Sequence, residues 1–119
     1  MAIEEHRLIL RGINCQTKVT ARLVRQFFVD LTKTLSMSLW KGPWAWRMMI
    51  EGKEPGISGF VAWHESGSHL HEYTSEHRVT LDVYSCKAFS TDEAQDLFER
   101  YFKPEEVLNN IPILNKRLQ

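Results

Sequence analysis

Glu65-Ser66 is followed by a histidine five residues on, His71, and by a cysteine twenty residues on, Cys86. These residue types suit a backbone self-cleavage. A serine held in a tight turn can attack the carbonyl of the residue before it. That reaction cuts the chain and leaves a carbonyl group at the new amino terminus, an electrophile made from the protein itself. A histidine can move the protons, and a thiol can return one at the end of a reaction. Each residue also has an ordinary structural use. Serines such as Ser58 and Ser66 are common in turns, His71 suits a half-buried strand, and Cys86 suits a small buried site.

The elements that must hold these residues follow from the apolar pattern. Arg7 to Ile13 reads as a first strand. Leu23, Val24, Phe27, Phe28, Leu31 and Leu35 recur at three- and four-residue steps, which predicts a helix over about 18–35. Thr17 is its expected cap. Ser38 to Glu51 is rich in tryptophan and methionine and is broken by Gly42-Pro43, with a strand expected beyond the break. Pro55-Gly56 marks a turn. Ile57 to His64, Ser68 to Thr74 and Arg78 to Cys86 read as three strands. The last alternates Val79, Leu81 and Val83 against Thr80, Asp82 and Tyr84. Ser90-Thr91-Asp92-Glu93 has the spacing of a capping box. The helix it opens carries Ala94, Leu97, Phe98, Tyr101 and Phe102 on one face, and Pro104 ends it. Val107 to Leu114 is the expected last strand.

Hairpin-length connections in the middle argue for antiparallel pairing. The expected class is α+β, a two-layer sandwich with an antiparallel sheet covered on one face by two helices. The other face lacks a third helix, and a sheet-to-sheet homodimer would cover it. A chain of 119 residues suits one domain over 1–119. Its 43% hydrophobic residues suffice for a real core. Fifteen basic side chains balance fifteen acidic ones, so no global field draws nucleic acid or an anionic membrane. No apolar run approaches the roughly 20 residues of a membrane span. Met1 to Leu10 lacks the basic region and cleavage site of a secretory signal, which predicts a cytoplasmic protein. Cys15 and Cys86 are then expected as free thiols.

Gly56-Ile57-Ser58-Gly59-Phe60-Val61-Ala62-Trp63-His64-Glu65-Ser66, together with Leu81-Asp82-Val83-Tyr84-Ser85-Cys86, resembles the processing segment of prokaryotic S-adenosylmethionine decarboxylases. That family has a Gly-Val-Ser-Gly turn, an apolar strand, Glu-Ser, a His five residues later and a Cys near the end of the next strand. This chain fits without a gap from Gly56 to Cys86. The resemblance implies self-cleavage between Glu65 and Ser66 and a pyruvoyl group formed from Ser66. His71 would move the proton for elimination, and Ser58 would hydrogen-bond the developing negative oxygen. The pyruvoyl carbonyl would form a Schiff base with the substrate amine and act as an electron sink. Cys86 would protonate the carbon after carbon dioxide leaves. The implied setting is polyamine biosynthesis.

Around the electrophile the chain departs from the family. The usual run after the histidine is Thr-Trp-Pro-Glu, whose glutamate binds the ribose hydroxyls. Here it is Glu72-Tyr73-Thr74-Ser75, with Glu76 one residue late. A one-residue shift on a strand turns a side chain to the other face. Gly52 falls where the family has an aromatic residue for adenine, and Trp44, Trp46 or Met49 could offer another platform. The early acidic residue of the family falls near Arg11. The substrate is therefore either S-adenosylmethionine, with the tryptophans rebuilding the adenine site, or a smaller amino acid such as arginine or ornithine. Glu72 could meet a cationic tail. Candidate substrate contacts are Tyr73, Glu72, Glu76 and Trp46.

Other classes were open. His69 and His71 share a strand face and with Glu65 or Glu72 could ligate a metal, but chance clustering of histidines is the commoner cause and no metal is expected. Trp40 to Arg47 interleaves aromatic and basic residues as a base-stacking surface does. Zero net charge argues against nucleic acid. A non-cleaving homologue would keep the fold without the chemistry.

Overall fold

The structure is a computed structural model that describes residues 5–49, 52 and 55–110. It runs β1 (His6–Ile13), α1 (Ala21–Thr34), β2 (Leu39–Met48), β3 (Gly56–Trp63), β4 (Ser66–Tyr73), β5 (Arg78–Ser85), α2 (Thr91–Phe102) and β6 (Glu106–Asn110). All pairings are antiparallel. The strands form one sheet in the order β2-β3-β4-β5-β1-β6, and both helices are packed on one face of it. The two-layer α+β sandwich expected from the apolar pattern is thus present.

Several boundaries differ from expectation for local reasons. Thr20, not Thr17, caps α1, and its hydroxyl accepts from the Leu23 amide at 3.0 Å. Thr17 instead donates to the Tyr101 carbonyl at 2.7 Å and ties the approach of α1 to α2. Strand β2 passes straight through Gly42-Pro43, with register slips between Leu39 and Lys41 and between Lys41 and Trp44. Such a passage is tolerated because β2 is an edge strand, where a missing proline N–H breaks little of the ladder. The capping box at Ser90 forms as expected, its hydroxyl accepting from the Glu93 amide at 3.1 Å. The expected last strand begins one residue early, and its part from Ile111 to Leu114 lies outside the described residues, as does the Ile50-Glu51 end of the expected second strand.

Side chains of one parity on the strands face the helices. Leu8, Leu10, Ile57, Val61, Trp63, Leu70, Val79, Leu81 and Val83 are buried against Val24, Phe27, Phe28 and Leu31 of α1 and Ala94, Leu97, Phe98 and Phe102 of α2. Gly59 lets α1 approach closely, since a Cβ there would lie 2.6 Å from Val24 Cγ1. Phe27 sits at the centre, with ring centroids of Phe102, Tyr101 and Phe28 at 5.1, 5.3 and 5.6 Å. Phe27→Ala is expected to cost about 3–5 kcal/mol through lost burial and a residual cavity. Urea unfolding measures this, and a loss under about 1 kcal/mol would contradict the placement of Phe27 in the core. Among the described residues no helix is long and apolar enough to cross a membrane.

Candidate active site

The Glu65–Ser66 link lies at the tip of the β3–β4 hairpin. Trp63 and Ser66 form the last pair, so His64 and Glu65 make a two-residue loop. The loop is held from three sides. Trp63 Nε1 donates to Thr32 Oγ1 at 2.9 Å and fixes the end of β3 to α1. The His64 amide donates to the Ser38 carbonyl at 2.9 Å. The Glu65 carboxylate accepts from the Ser38 amide at 2.9 Å and from the Ser38 hydroxyl at 3.1 Å, and Lys87 Nζ lies 3.9 Å away. The Ser38 amide is the main cause that holds the Glu65 carboxyl below the ordinary glutamate range. The Glu65 carbonyl, the one Ser66 would attack, accepts from the Cys86 amide at 2.9 Å. Ser66 itself has φ +146. That backbone region belongs almost wholly to glycine and costs a side-chain-bearing residue about 1–3 kcal/mol.

The sheet face away from the helices carries the other polar candidates. Register places Trp46, Ser58, His71 and Thr80 in one row across four strands and Trp44, Phe60, His69 and Asp82 in the next. Ser58, 7% exposed, has its hydroxyl 3.3 Å from His69 Nε2 and 3.4 Å from His71 Nδ1. His71 meets the ring of Tyr73 edge-on at 4.5 Å. Asp82 is gripped by Arg7, with Nε–Oδ1 3.0 Å and Nη2–Oδ2 2.6 Å. An open hollow of about 580 Å³ lies on this face, lined by Trp44, Trp46, Phe60, Tyr84, His69 and Asp82 and reaching Ser66. Exposed tryptophan and phenylalanine beside a strained serine make a surface fit for a flat, partly apolar ligand.

A family model of S-adenosylmethionine decarboxylase matches residues 6–111. The chain belongs to the S-adenosylmethionine decarboxylase family. The crystal structure of the adenosylmethionine decarboxylase from Aquifex aeolicus VF5 is similar in fold, with a TM-score of 0.71 at 13% sequence identity. The match covers 100% of this chain and 95% of that one. No curated protein is similar enough in sequence to match.

Against this S-adenosylmethionine decarboxylase frame, the candidate residues fall into two groups. Glu65, Ser66 and Cys86 meet at the hairpin tip, with Cys86 exposed. Ser58, His71, Tyr73 and Trp46 lie further along the open face. Ser66 and His71 are both on β4, separated by about 16 Å of extended strand. The histidine expected beside the serine is therefore not beside it within one chain.

Glu72 is placed apart from the open-face residues. It neighbours His71 on β4 and so faces the helix side, where it is 6% exposed and accepts from Thr74 Oγ1 at 2.7 Å. It does not line the open hollow. Glu76 sits in the 3₁₀ turn Thr74–Glu76, paired with Arg78 at 3.2 Å. Gly52 has nothing within 4 Å of a Cβ built on it. Cys15, buried, and Cys86 are free thiols. Burial raises the pKa of the Cys15 thiol. Among the described residues no three His, Cys, Asp or Glu side chains are placed to hold a metal ion.

Sequence reasoning missed the clamp of Ser38 and Lys87 on Glu65, and it missed Phe60, Asp82 and Tyr84 as walls of the hollow. Strand parity was the available signal for the walls. Phe60 is two residues from Ser58, and Asp82 and Tyr84 alternate with the buried Leu81 and Val83.

Proposed function

We propose that this chain cleaves itself between Glu65 and Ser66, converts Ser66 to a pyruvoyl group and decarboxylates S-adenosylmethionine in polyamine biosynthesis. The observation that carries this reading is the strained Ser66, φ +146, next to a Glu65 carbonyl polarised by the Cys86 amide. Attack by Ser66 Oγ on that carbonyl breaks the Glu65–Ser66 amide, forms an ester and frees the Ser66 nitrogen. The Cys86 N–H is already aimed at the oxygen that becomes negative, and such preorganised donors lower the barrier. The new linkage also releases the backbone strain. Loss of the Ser66 Cα proton then expels the Glu65 carboxylate. Hydrolysis with one water releases ammonia and leaves the pyruvoyl end. The residues at the tip suit that group, because a three-carbon end on β4 opens directly into the hollow. Once formed, the group supplies an electron sink for breaking the carbon–carboxylate bond. Cys86, exposed at the tip, returns a proton to that carbon. Trp44, Trp46, Phe60 and Tyr84 offer flat apolar surface to a purine ring.

The working unit in this reading is a homodimer packed open face to open face. Trp46 and Phe60 are 54% and 41% exposed there, and apolar patches of this kind mark association surfaces. A two-fold contact pairs each residue with its counterpart's neighbour. The Ser58–His71 pair of one copy can thereby serve Ser66 of the other, which closes the gap within one chain.

Intact-mass spectrometry tests the cleavage. The expected result is two polypeptides, residues 1–65 and 66–119, the second bearing a pyruvoyl end. One uncleaved mass from natively folded protein rejects the enzyme reading in favour of a non-cleaving homologue. Carbon dioxide release from S-adenosylmethionine, arginine and ornithine then tests the substrate. The walls of the hollow are mainly Trp44, Trp46, Phe60 and Tyr84, which suit a purine better than a short cationic tail, so S-adenosylmethionine is expected to turn over fastest.

A further inference from the structure

Ser58 has one hydroxyl hydrogen and two lone pairs, and it faces two imidazoles. His69 Nε2 lies 3.3 Å and His71 Nδ1 3.4 Å from its oxygen. If the hydroxyl gave its hydrogen to either ring, none would remain for an outside oxygen. His69 is held in a fixed attitude, its ring stacked on Phe60 at 4.5 Å with the planes 8° apart. The groups around it are Asp82 on β5, itself engaged by Arg7 on β1, and His71 on its own strand; β3 brings only Ser58 and Phe60. Burial, followed by the like charge of His71, lowers the His69 pKa against the opposing pull of Asp82. A neutral ring then carries one N–H, and which nitrogen bears it decides what Ser58 can do.

We propose that His69 is a positioning residue for Ser58. Its Nε2–H and the Nδ1–H of His71 fill the two lone pairs of Ser58 Oγ, which leaves the hydroxyl hydrogen free to point at an outside oxygen. The proposal rests on the reading that Ser58 stabilises the anionic oxygen of the cleavage. It gives three matched consequences: Ser58 is a free donor, its oxygen is polarised by two N–H groups, and His71 keeps an unprotonated Nε2 with which to take a proton. The backbone leaves room for that nitrogen, since it lies 3.4 Å from where a Cβ on Gly56 would sit.

Long-range ¹⁵N–¹H NMR of the Ser66→Ala protein at neutral pH reads the tautomers directly, without any cleavage. The expected result is Nε2–H on His69 and Nδ1–H on His71. Finding His69 as the Nδ1–H form, or His71 as the Nε2–H form, overturns the proposal. The kinetic test uses two substitutions in the otherwise unaltered chain. His69→Phe keeps a ring on Phe60 but removes the N–H, and cleavage is expected to slow roughly fivefold to tenfold, the size of one net hydrogen bond. His69→Gln sets an amide N–H near the place of Nε2 and is expected to recover most of the rate. A Phe variant as fast as the parent, or a Gln variant as slow as Phe, counts against the N–H. If the parent chain never cleaves, the function proposed above fails, and the tautomers still decide the role of His69.

Discussion

Ser66→Gly is expected to stop backbone cleavage and to melt at a higher temperature than Ser66→Ala. Both variants lack the hydroxyl, so both stay as one chain and can be compared cleanly. They differ in how they bear φ +146 at the hairpin tip. Alanine keeps the Cβ and therefore keeps a strain of about 1–3 kcal/mol. Glycine adopts that region freely but gives back about 0.5–1 kcal/mol through the larger freedom of the unfolded chain. The net expectation favours glycine by about 1 kcal/mol at the middle of these ranges and by about 2.5 kcal/mol at most. At roughly 4 °C per kcal/mol for a domain of this size, the difference is readable by scanning calorimetry. A glycine variant that melts roughly 2–4 °C below the alanine variant, the full cost of its chain freedom, would show that no strain is held at residue 66 and that strain release contributes nothing to cleavage.

That strain could not be read from the sequence. It arises because Trp63 is pinned to α1, Glu65 is pinned to Ser38, and the loop between Trp63 and Ser66 has only two residues. Each constraint is a contact between segments distant along the chain. By contrast, the helices were legible, because periodic apolar residues and the Ser90 cap are local signals. Strand β2 was only half legible. A Gly-Pro pair reads as a break, yet an edge strand absorbs it as an irregularity of register. The site was legible as chemistry but not as geometry. A five-residue step from Ser66 to His71 looks short in a sequence, whereas a strand makes them about 16 Å apart. The same parity already implied that Glu72, adjacent to His71, must face away from it.

The separation of Ser66 from His71 makes a second all-or-none expectation. His71→Ala and Ser66→Ala chains, each alone, should stay uncleaved. Coexpressed with distinguishable masses, they should complement. In a mixed dimer the His71→Ala chain still has Ser66, and the Ser66→Ala chain still has Ser58 and His71. If the Ser58–His71 pair acts on the opposite copy, the His71→Ala chain is cut. With random pairing of equal amounts, about half of the His71→Ala chains meet such a partner in a two-fold dimer, so cleavage should approach half of them and never reach the Ser66→Ala chain. An arrangement acting within one chain predicts no cleavage at all, because no single chain then holds both groups. That result would refute the face-to-face dimer as the cleaving unit. It would also require the hairpin tip to move across the 16 Å estimated from strand rise before chemistry, a displacement that the Trp63, Ser38 and Lys87 anchors oppose.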